Sequence, residues 1–371
     1  MKETSVAFTG DIAFSQYYKD RFDDPELVGR ELADFLSGAD YGVFNVEGAL
    51  CTPKEKGTFL HSSDPRCAEQ IKRLHGNIWN LANNHIFDAG EDGCAETIAL
   101  AKQCGFQTIG AGMDLEEAAR PVILPEAGGI GLFGAVVTAK SKRAGENESG
   151  CLYAKDYDTI LATVREIKKT CRWCVMVLHG GREFCDIPMK SIVERYRLYL
   201  KMGVDVVVAH HPHVPQNYER VGENKYIFYS LGNFIFDTDY QRAQPHTGTG
   251  VLLKLFFTDS AVRFEAVGTK IDRTNGHIAK AELPAVFTEL TEADYDRLGP
   301  LVATRFMEHI RKRAQHVKPG CFAAFDEADW AHFWLAEDRK YGEFLECLPL
   351  QRQYDGKPLG EAYRKLEEYL I

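Results

Sequence analysis

Apolar and polar positions along the chain alternate between two textures. Ser5–Thr9, Tyr41–Val46, Ile78–Ala82, Trp173–Leu178 and Val204–Ala209 are short runs rich in branched and aromatic residues, bounded by turn residues, and they predict buried strands. Between them, Pro25–Ser37, Pro65–Leu74, Glu91–Cys104, Asp156–Thr170 and Pro188–Met202 space their apolar residues three and four apart, which predicts amphipathic helices. Gln107–Gly112, Pro121–Leu124 and Tyr226–Tyr229 add strands, and Gly250–Phe257 with Val262–Val267 predicts an antiparallel pair. Gly128–Val137 reads as a glycine-rich hairpin and strand; its Gly128-Gly129-Ile130-Gly131 cluster is a weak phosphate-loop candidate beside the hairpin reading. Ala139–Gly150 is polar and reads as a loop. Strands alternating with helices predict an α/β fold. From about Pro284 the pattern changes: Thr291–Val317, Glu327–Lys340, Gly342–Cys347 and Leu359–Leu370 carry helical periodicity alone. We therefore expect a main domain over residues 1–283 and a helical C-terminal extension over 284–371.

The chemistry stands where the predicted strands stop. Val204-Asp205-Val206-Val207-Val208-Ala209 runs straight into His210-His211-Pro212-His213, where the proline ends ladder pairing. Imidazoles there occupy the end of the sheet at which open α/β sheets place their ligands. His211 and His213, two apart, can share one face of an extended segment. The other strands end alike: Gly10-Asp11 after the first, Glu47-Gly48 after the second, Asn83-Asn84-His85 with Asp88 after the third, and His179 at the end of Trp173–Leu178. Taken singly, Asp11 reads equally as a metal ligand or a turn residue, and an Asn-Asn pair more often makes a turn. Collected, Asp11, Glu47, Asn84, His85, His179, His211 and His213 form a mixed nitrogen and oxygen donor set. Such a set suits Mn, Fe, Zn or Mg and lacks the thiolate that marks structural zinc. In two-metal sites a carboxylate bridges the ions, and the pair activates water and clamps an oxyanion. The expected cofactors are two divalent metal ions.

Composition narrows the setting. With 45% hydrophobic and 11% aromatic residues the chain can fill a sizeable core. Lys and Arg total 44 against 54 Asp and Glu, a formal charge of −10, which argues against a broad nucleic-acid or anionic-membrane footprint. The chain opens directly into a strand, without an apolar leader or a membrane-length apolar run, and its 10 cysteines lack a repeating spacing. Cys171-Arg172-Trp173-Cys174 stands alone as a CxxC and reads as two partly buried thiols. These features suggest a cytoplasmic protein; a homo-oligomer is left open.

The order of the motifs resembles the calcineurin-like metallophosphoesterase superfamily and, within it, the capsule-biosynthesis (CapA/PgsA-type, poly-γ-glutamate) family. The resemblance is carried by Gly10-Asp11, Asn45-Val46-Glu47-Gly48, Leu81-Ala82-Asn83-Asn84-His85 with Asp88, and His179-Gly180-Gly181-Arg182-Glu183. It continues through Val206–Val214 and Tyr229-Ser230-Leu231-Gly232-Asn233-Phe234, and so spans roughly Val6 to Asp237. It implies a four-layer α/β/β/α sandwich. It also implies that Asp11 and His213 hold one metal, that Asn84, His179 and His211 hold the other, and that Glu47 bridges. His85 becomes the acid/base residue, oriented by Asp88. Arg182, Asn233 and His210 become candidate substrate-side residues, His210 standing where the wider superfamily has glycine and reading equally as a supporting group behind the ligands. Ala13 occupies the place of a second histidine common in the superfamily, Gly180 that of a tryptophan usual in the family, and Ala49 that of a common proline; the last two imply a reshaped cleft. The activity implied is metal-dependent hydrolysis of a phosphoester or of a γ-glutamyl or related amide bond, in a small-molecule or polymeric anionic substrate. The rival expectation is a non-catalytic subunit of poly-γ-glutamate or capsule production.

Overall fold

The computed structural model describes residues 3–52, 61–138 and 141–290. The chain first lays down four parallel strands, β1 (Thr4–Ile12), β2 (Tyr41–Val46), β3 (Ile78–Asn80) and β4 (Gln107–Ile109). A second sheet follows, built from β5 (Val122–Leu124), β6 (Ile130–Val137), β7 (Trp173–Gly180), β8 (Val206–His210), β9 (Tyr218–Val221) and β10 (Lys225–Phe228). The chain then returns to the first sheet with β11 (Asn233–Ile235), β12 (Thr249–Phe257), β13 (Val262–Ile271) and β14 (Ile278–Ala281). The first sheet runs β14-β13-β12-β1-β2-β3-β4, with β11 also pairing along β1, and the second runs β9-β10-β8-β7-β6-β5.

Side-chain alternation sorts each strand between two cores. Val6 and Phe8 of β1, Val43 of β2 and Leu253 of β12 meet Val175 and Val177 of β7 and Val206 and Val208 of β8 in one apolar layer between the sheets. Cys174, Met176 and Leu178 of β7 face the other way, onto Ile160, Val164 and Ile167 of the Tyr157–Thr170 helix and Val193 and Tyr196 of the Lys190–Met202 helix. Ala7, Phe44 and Trp79 pack against Leu32 and Leu36 of the Arg30–Ser37 helix and Cys94 and Ala101 of the Gly90–Gln103 helix. The result is the four-layer α/β/β/α sandwich that the resemblance implied.

Several boundaries differ from the sequence reading. The first strand extends to Ile12, so Asp11 lies within it and not on a turn. The expected strand over Gln107–Gly112 breaks at Gly110, whose φ of 89° turns the chain; Ala111–Gly112 then pairs with Gly150–Cys151, at the end of the segment read as a loop. The first helix starts at Arg30, well after Pro25, and Pro65–Cys67 forms a 3-10 turn before the Ala68–Arg73 helix. Residues 284–290 lie on the main body: Leu290 donates its N–H to the Tyr218 carbonyl at 2.7 Å, and Phe287 joins the layer between the sheets. The helices expected from Thr291 onward lie outside the described residues.

Candidate metal centre

The same alternation that builds the core delivers the site. In β2, Val43 faces the second sheet and Phe44 the helices, so Asn45 faces the second sheet; in β3, Ile78 and Trp79 divide likewise, which turns Asn80 inward. Val175 and Val177 place His179 on the inner face of β7, and Val206 and Val208 do the same for His210 of β8. In β1, simple alternation from Val6 and Phe8 would send Asp11 outward to the helices. A one-residue bulge between Phe8 and Asp11 corrects this and pairs Asp11 with Asn45 of β2 and Asn233 of β11. Gly10 occupies the bulge, where an added Cβ would sit 2.3 Å from the Gly232 carbonyl oxygen. Asn233, Asp11, Asn45 and Asn80 thus stand abreast on four strands, facing His179 and His210, which pair across β7 and β8.

Asp11 is fully buried and holds several partners at once. Its Oδ1 accepts from Asn45 Nδ2 at 2.8 Å and lies 3.3 Å from His210 Nδ1; its Oδ2 lies 3.1 Å from His213 Nδ1 and accepts the His211 N–H at 3.3 Å. On the other side, His179 Nε2 stands 2.8 Å from Asn84 Oδ1 and 3.1 Å from His211 Nδ1. Glu47 lies between the two groups. Its Oε1 is 3.7 Å from His213 Nε2, 3.9 Å from His85 Nε2 and 4.0 Å from His179 Nε2, and neither carboxylate oxygen has a hydrogen-bond partner among the described residues. A buried carboxylate without donors is costly. One ringed by imidazole nitrogens just beyond hydrogen-bond reach leaves room for cations between them.

His85 Nδ1 is 2.7 Å from Asp88 Oδ2, which also accepts the His61 N–H at 3.0 Å, so the ring is fixed with Nε2 toward Glu47. His211 and His213 do not share an extended strand as expected: β8 stops at His210, and the two residues have φ of 95° and 58°. Left-handed backbone at two non-glycine residues costs free energy, and strain of this kind clusters at functional sites. Both rings still reach the centre.

Charge distribution follows from burial and neighbours. Burial acts to raise the Asp11 pKa, but His210 and His213 beside it prevail and hold it well below the usual carboxylate range. Burial drives Glu47 well above its ordinary value, against the opposing pull of His213 and with Asp11 adding to the rise. Burial, then His211, holds His179 well below the ordinary imidazole value, and burial takes His211 down to about 4. For His213 burial acts downward, yet Glu47 and Asp11 outweigh it and raise the group to about 10. Two neutral imidazoles and an ionised Asp11 are the states a divalent cation requires, whereas Glu47 and His213 must give up protons to bind one.

The structure thus brings Asp11, Glu47, Asn84, His85, Asp88, His179, His211 and His213 into one site. His210 and Asn233 sit behind two of the expected ligands: His210 against Asp11, and Asn233 with its oxygen 3.0 Å from His213 Nδ1 and its amide N–H groups given to Gln241 Oε1 and the Thr247 carbonyl. Arg182 is largely buried in the loop after β7. Gly180 faces the helices, against Val137 and Tyr196. Asn45 and Asn80 went unread as site residues, since asparagine inside an apolar strand carries no spacing signal; their position two residues after Val43 and Ile78 was the available clue. Asn80 Nδ2 donates to Asn45 Oδ1 at 2.7 Å and so orients the amide that holds Asp11.

The model of the family described as bacterial capsule synthesis protein PGA_cap matches residues 5–238. The PGA biosynthesis protein CapA of Bacillus subtilis (strain 168) is 27% identical over 249 residues, 65% of this chain and 65% of that protein. The capsule biosynthesis protein CapA of Bacillus anthracis is 25% identical over 260 residues, 66% of this chain and 62% of that one. A probable polyglutamine synthesis accessory protein of Mycobacterium tuberculosis (strain ATCC 25618 / H37Rv) is 26% identical over 236 residues, 60% of this chain and 61% of that one. The chain therefore spans less than two thirds of the length of each of these relatives. With more than half of its residues matched by the family model, the chain belongs to the bacterial capsule synthesis protein (PGA_cap) family.

Proposed function

We propose that this chain is a metal-dependent hydrolase that cleaves a phosphoester or a γ-glutamyl or related amide bond at a centre for two divalent ions. The observation that carries the reading is Glu47, whose two buried oxygens lack hydrogen-bond partners among the described residues while three imidazole nitrogens stand 3.7, 3.9 and 4.0 Å from Oε1. Asp11 and His213 would hold one ion, Asn84, His179 and His211 the other, with Glu47 between them. Bound divalent ions would supply an activated water and positive charge for the developing oxyanion. His85 is the proton donor and acceptor at the leaving group, its Nδ1 held by Asp88 and its Nε2 turned into the site. Arg182 is assigned to a substrate anion, whereas His210 and Asn233 orient Asp11 and His213. Among the described residues no helix is long and apolar enough to cross a membrane. The two reaction classes share this machinery, because each builds charge on oxygen in its transition state.

A second reading rests on the relatives' names, which speak of biosynthesis and of an accessory protein. On it the chain is a non-catalytic subunit of poly-γ-glutamate or capsule production. Elemental analysis of the purified protein, followed by phosphoester and γ-glutamyl substrate panels with and without added Mn, separates the two. Metal uptake with Mn-dependent turnover that Asp11→Ala abolishes is expected; a loaded protein inert on both panels favours the subunit.

A further inference from the structure

We propose that Glu183 is an additional carboxylate ligand of the centre, on the side of His211 and His213; the inference rests on the two-ion reading above. One carboxylate oxygen of Glu183 and one ring nitrogen from each of His211 and His213 lie within 4.8 Å of one another, as do donor atoms of Asp11, Glu47 and His213. His213 belongs to both groups, so Glu183 stands beside the same histidine as Glu47, whose oxygens have no hydrogen-bond partner among the described residues.

The backbone places Glu183 deliberately. Gly181 turns the chain with φ 114° and packs against Pro212: a Cβ on Gly181 would sit 3.1 Å from Pro212 Cγ. Three residues on, the Phe184 N–H donates to the Pro212 carbonyl at 2.7 Å, and the Phe184 ring lies 5.9 Å from that of His213. The loop carrying Glu183 is therefore fastened to the very turn that carries His211 and His213, at the residue between them. Phe184 takes φ 61°, so three non-glycine residues around this junction hold left-handed backbone. Charge agrees with the placement. Asp11 and Glu47 offset half of the charge on two divalent ions, and a third carboxylate offsets more, in a buried site where uncompensated charge is expensive.

The test is Mn titration of the apo protein, followed by calorimetry and by the electron paramagnetic resonance of free and bound Mn, in wild type, Glu183→Gln and Glu183→Asp. Glutamine keeps the shape and removes the charge; aspartate keeps the charge on a shorter arm and serves as the folded comparison if glutamine disturbs the loop. The expected result is two equivalents in wild type, at least a tenfold weakening of one of them in Glu183→Gln, and a smaller weakening in Glu183→Asp. Two equivalents at wild-type affinity in both variants would overturn the assignment and leave the two-ion reading standing. A wild type that takes up no Mn would overturn both.

Discussion

Replacing Glu47 with glutamine reverses the sign of its effect on stability according to whether metal is present. In the metal-free protein the Glu47 carboxyl is buried, accepts no hydrogen bond among the described residues, and has its pKa driven well above 4.5 by burial. An acid whose folded pKa is raised binds more protons folded than unfolded, so stability falls as pH rises from about 4.5 through the raised value. Each pH unit of that separation corresponds to about 1.4 kcal/mol. Glutamine is neutral without taking up a proton and so escapes this cost, which for a buried group of this kind is about 1–3 kcal/mol. Metal-free Glu47→Gln is therefore expected to melt a few °C above metal-free wild type at pH 7–8, at about 2–4 °C per kcal/mol for a domain somewhat smaller than this one. With Mn at about 100 times Kd, wild type gains about 2.7 kcal/mol by mass action, and the variant gains much less. Thermal melts with chelator and with Mn thus cross over between the two proteins. A Glu47→Gln protein that is destabilised in both conditions, or that keeps the full Mn increment, would refute the reasoning, because a purely structural glutamate gives no crossover.

Other consequences are checked separately. Because His213 is raised to about 10 and Glu47 is driven upward, metal uptake at pH 7–8 must displace protons, and apparent affinity rises with pH by about tenfold per unit for each proton lost; calorimetry in buffers of different ionisation enthalpy measures that release, and its absence would contradict the charge states given above. Asn45→Ala removes the 2.8 Å bond to Asp11 and is expected to weaken metal binding about 10–100-fold, read by chelator competition; unchanged affinity would deny Asn45 its orienting role. Asp88→Asn frees the His85 ring and is expected to lower kcat by about 10²–10⁴-fold with metal content unchanged, by steady-state kinetics beside elemental analysis. Gly10→Ala forces a Cβ to 2.3 Å from the Gly232 carbonyl oxygen, and a loss of about 1–3 kcal/mol in chemical unfolding is expected from the overpacked bulge.

Much of this arrangement is legible in the sequence. Val175, Val177, Val206 and Val208 advertise buried strands, and the polar residues that end those strands must lie at one edge of the sheets, where the ligands meet. Local geometry was less legible. The bulge that turns Asp11 inward depends on how β1 registers against β2, a non-local pairing that a single strand does not encode. The left-handed turn at His211 and His213 overrides the extended reading because the Pro212 carbonyl is bound by the loop from Gly181 to Phe184, far away in sequence. Gly110 looked like one residue of a strand, yet its positive φ divides that strand between two sheets. Asn45 and Glu183 were visible only as members of motifs, since an amide or a carboxylate acquires its meaning here from what the facing sheet or turn brings beside it.

The central claim is that Glu47 sits between two cations. A crystal structure of the Mn-loaded protein with an anomalous difference map tests it most directly. The account predicts two peaks about 3.5–4 Å apart, both coordinated by Glu47, one beside Asp11 and His213 and the other beside Asn84, His179 and His211. A map with no peak within bonding distance of either Glu47 oxygen would contradict it.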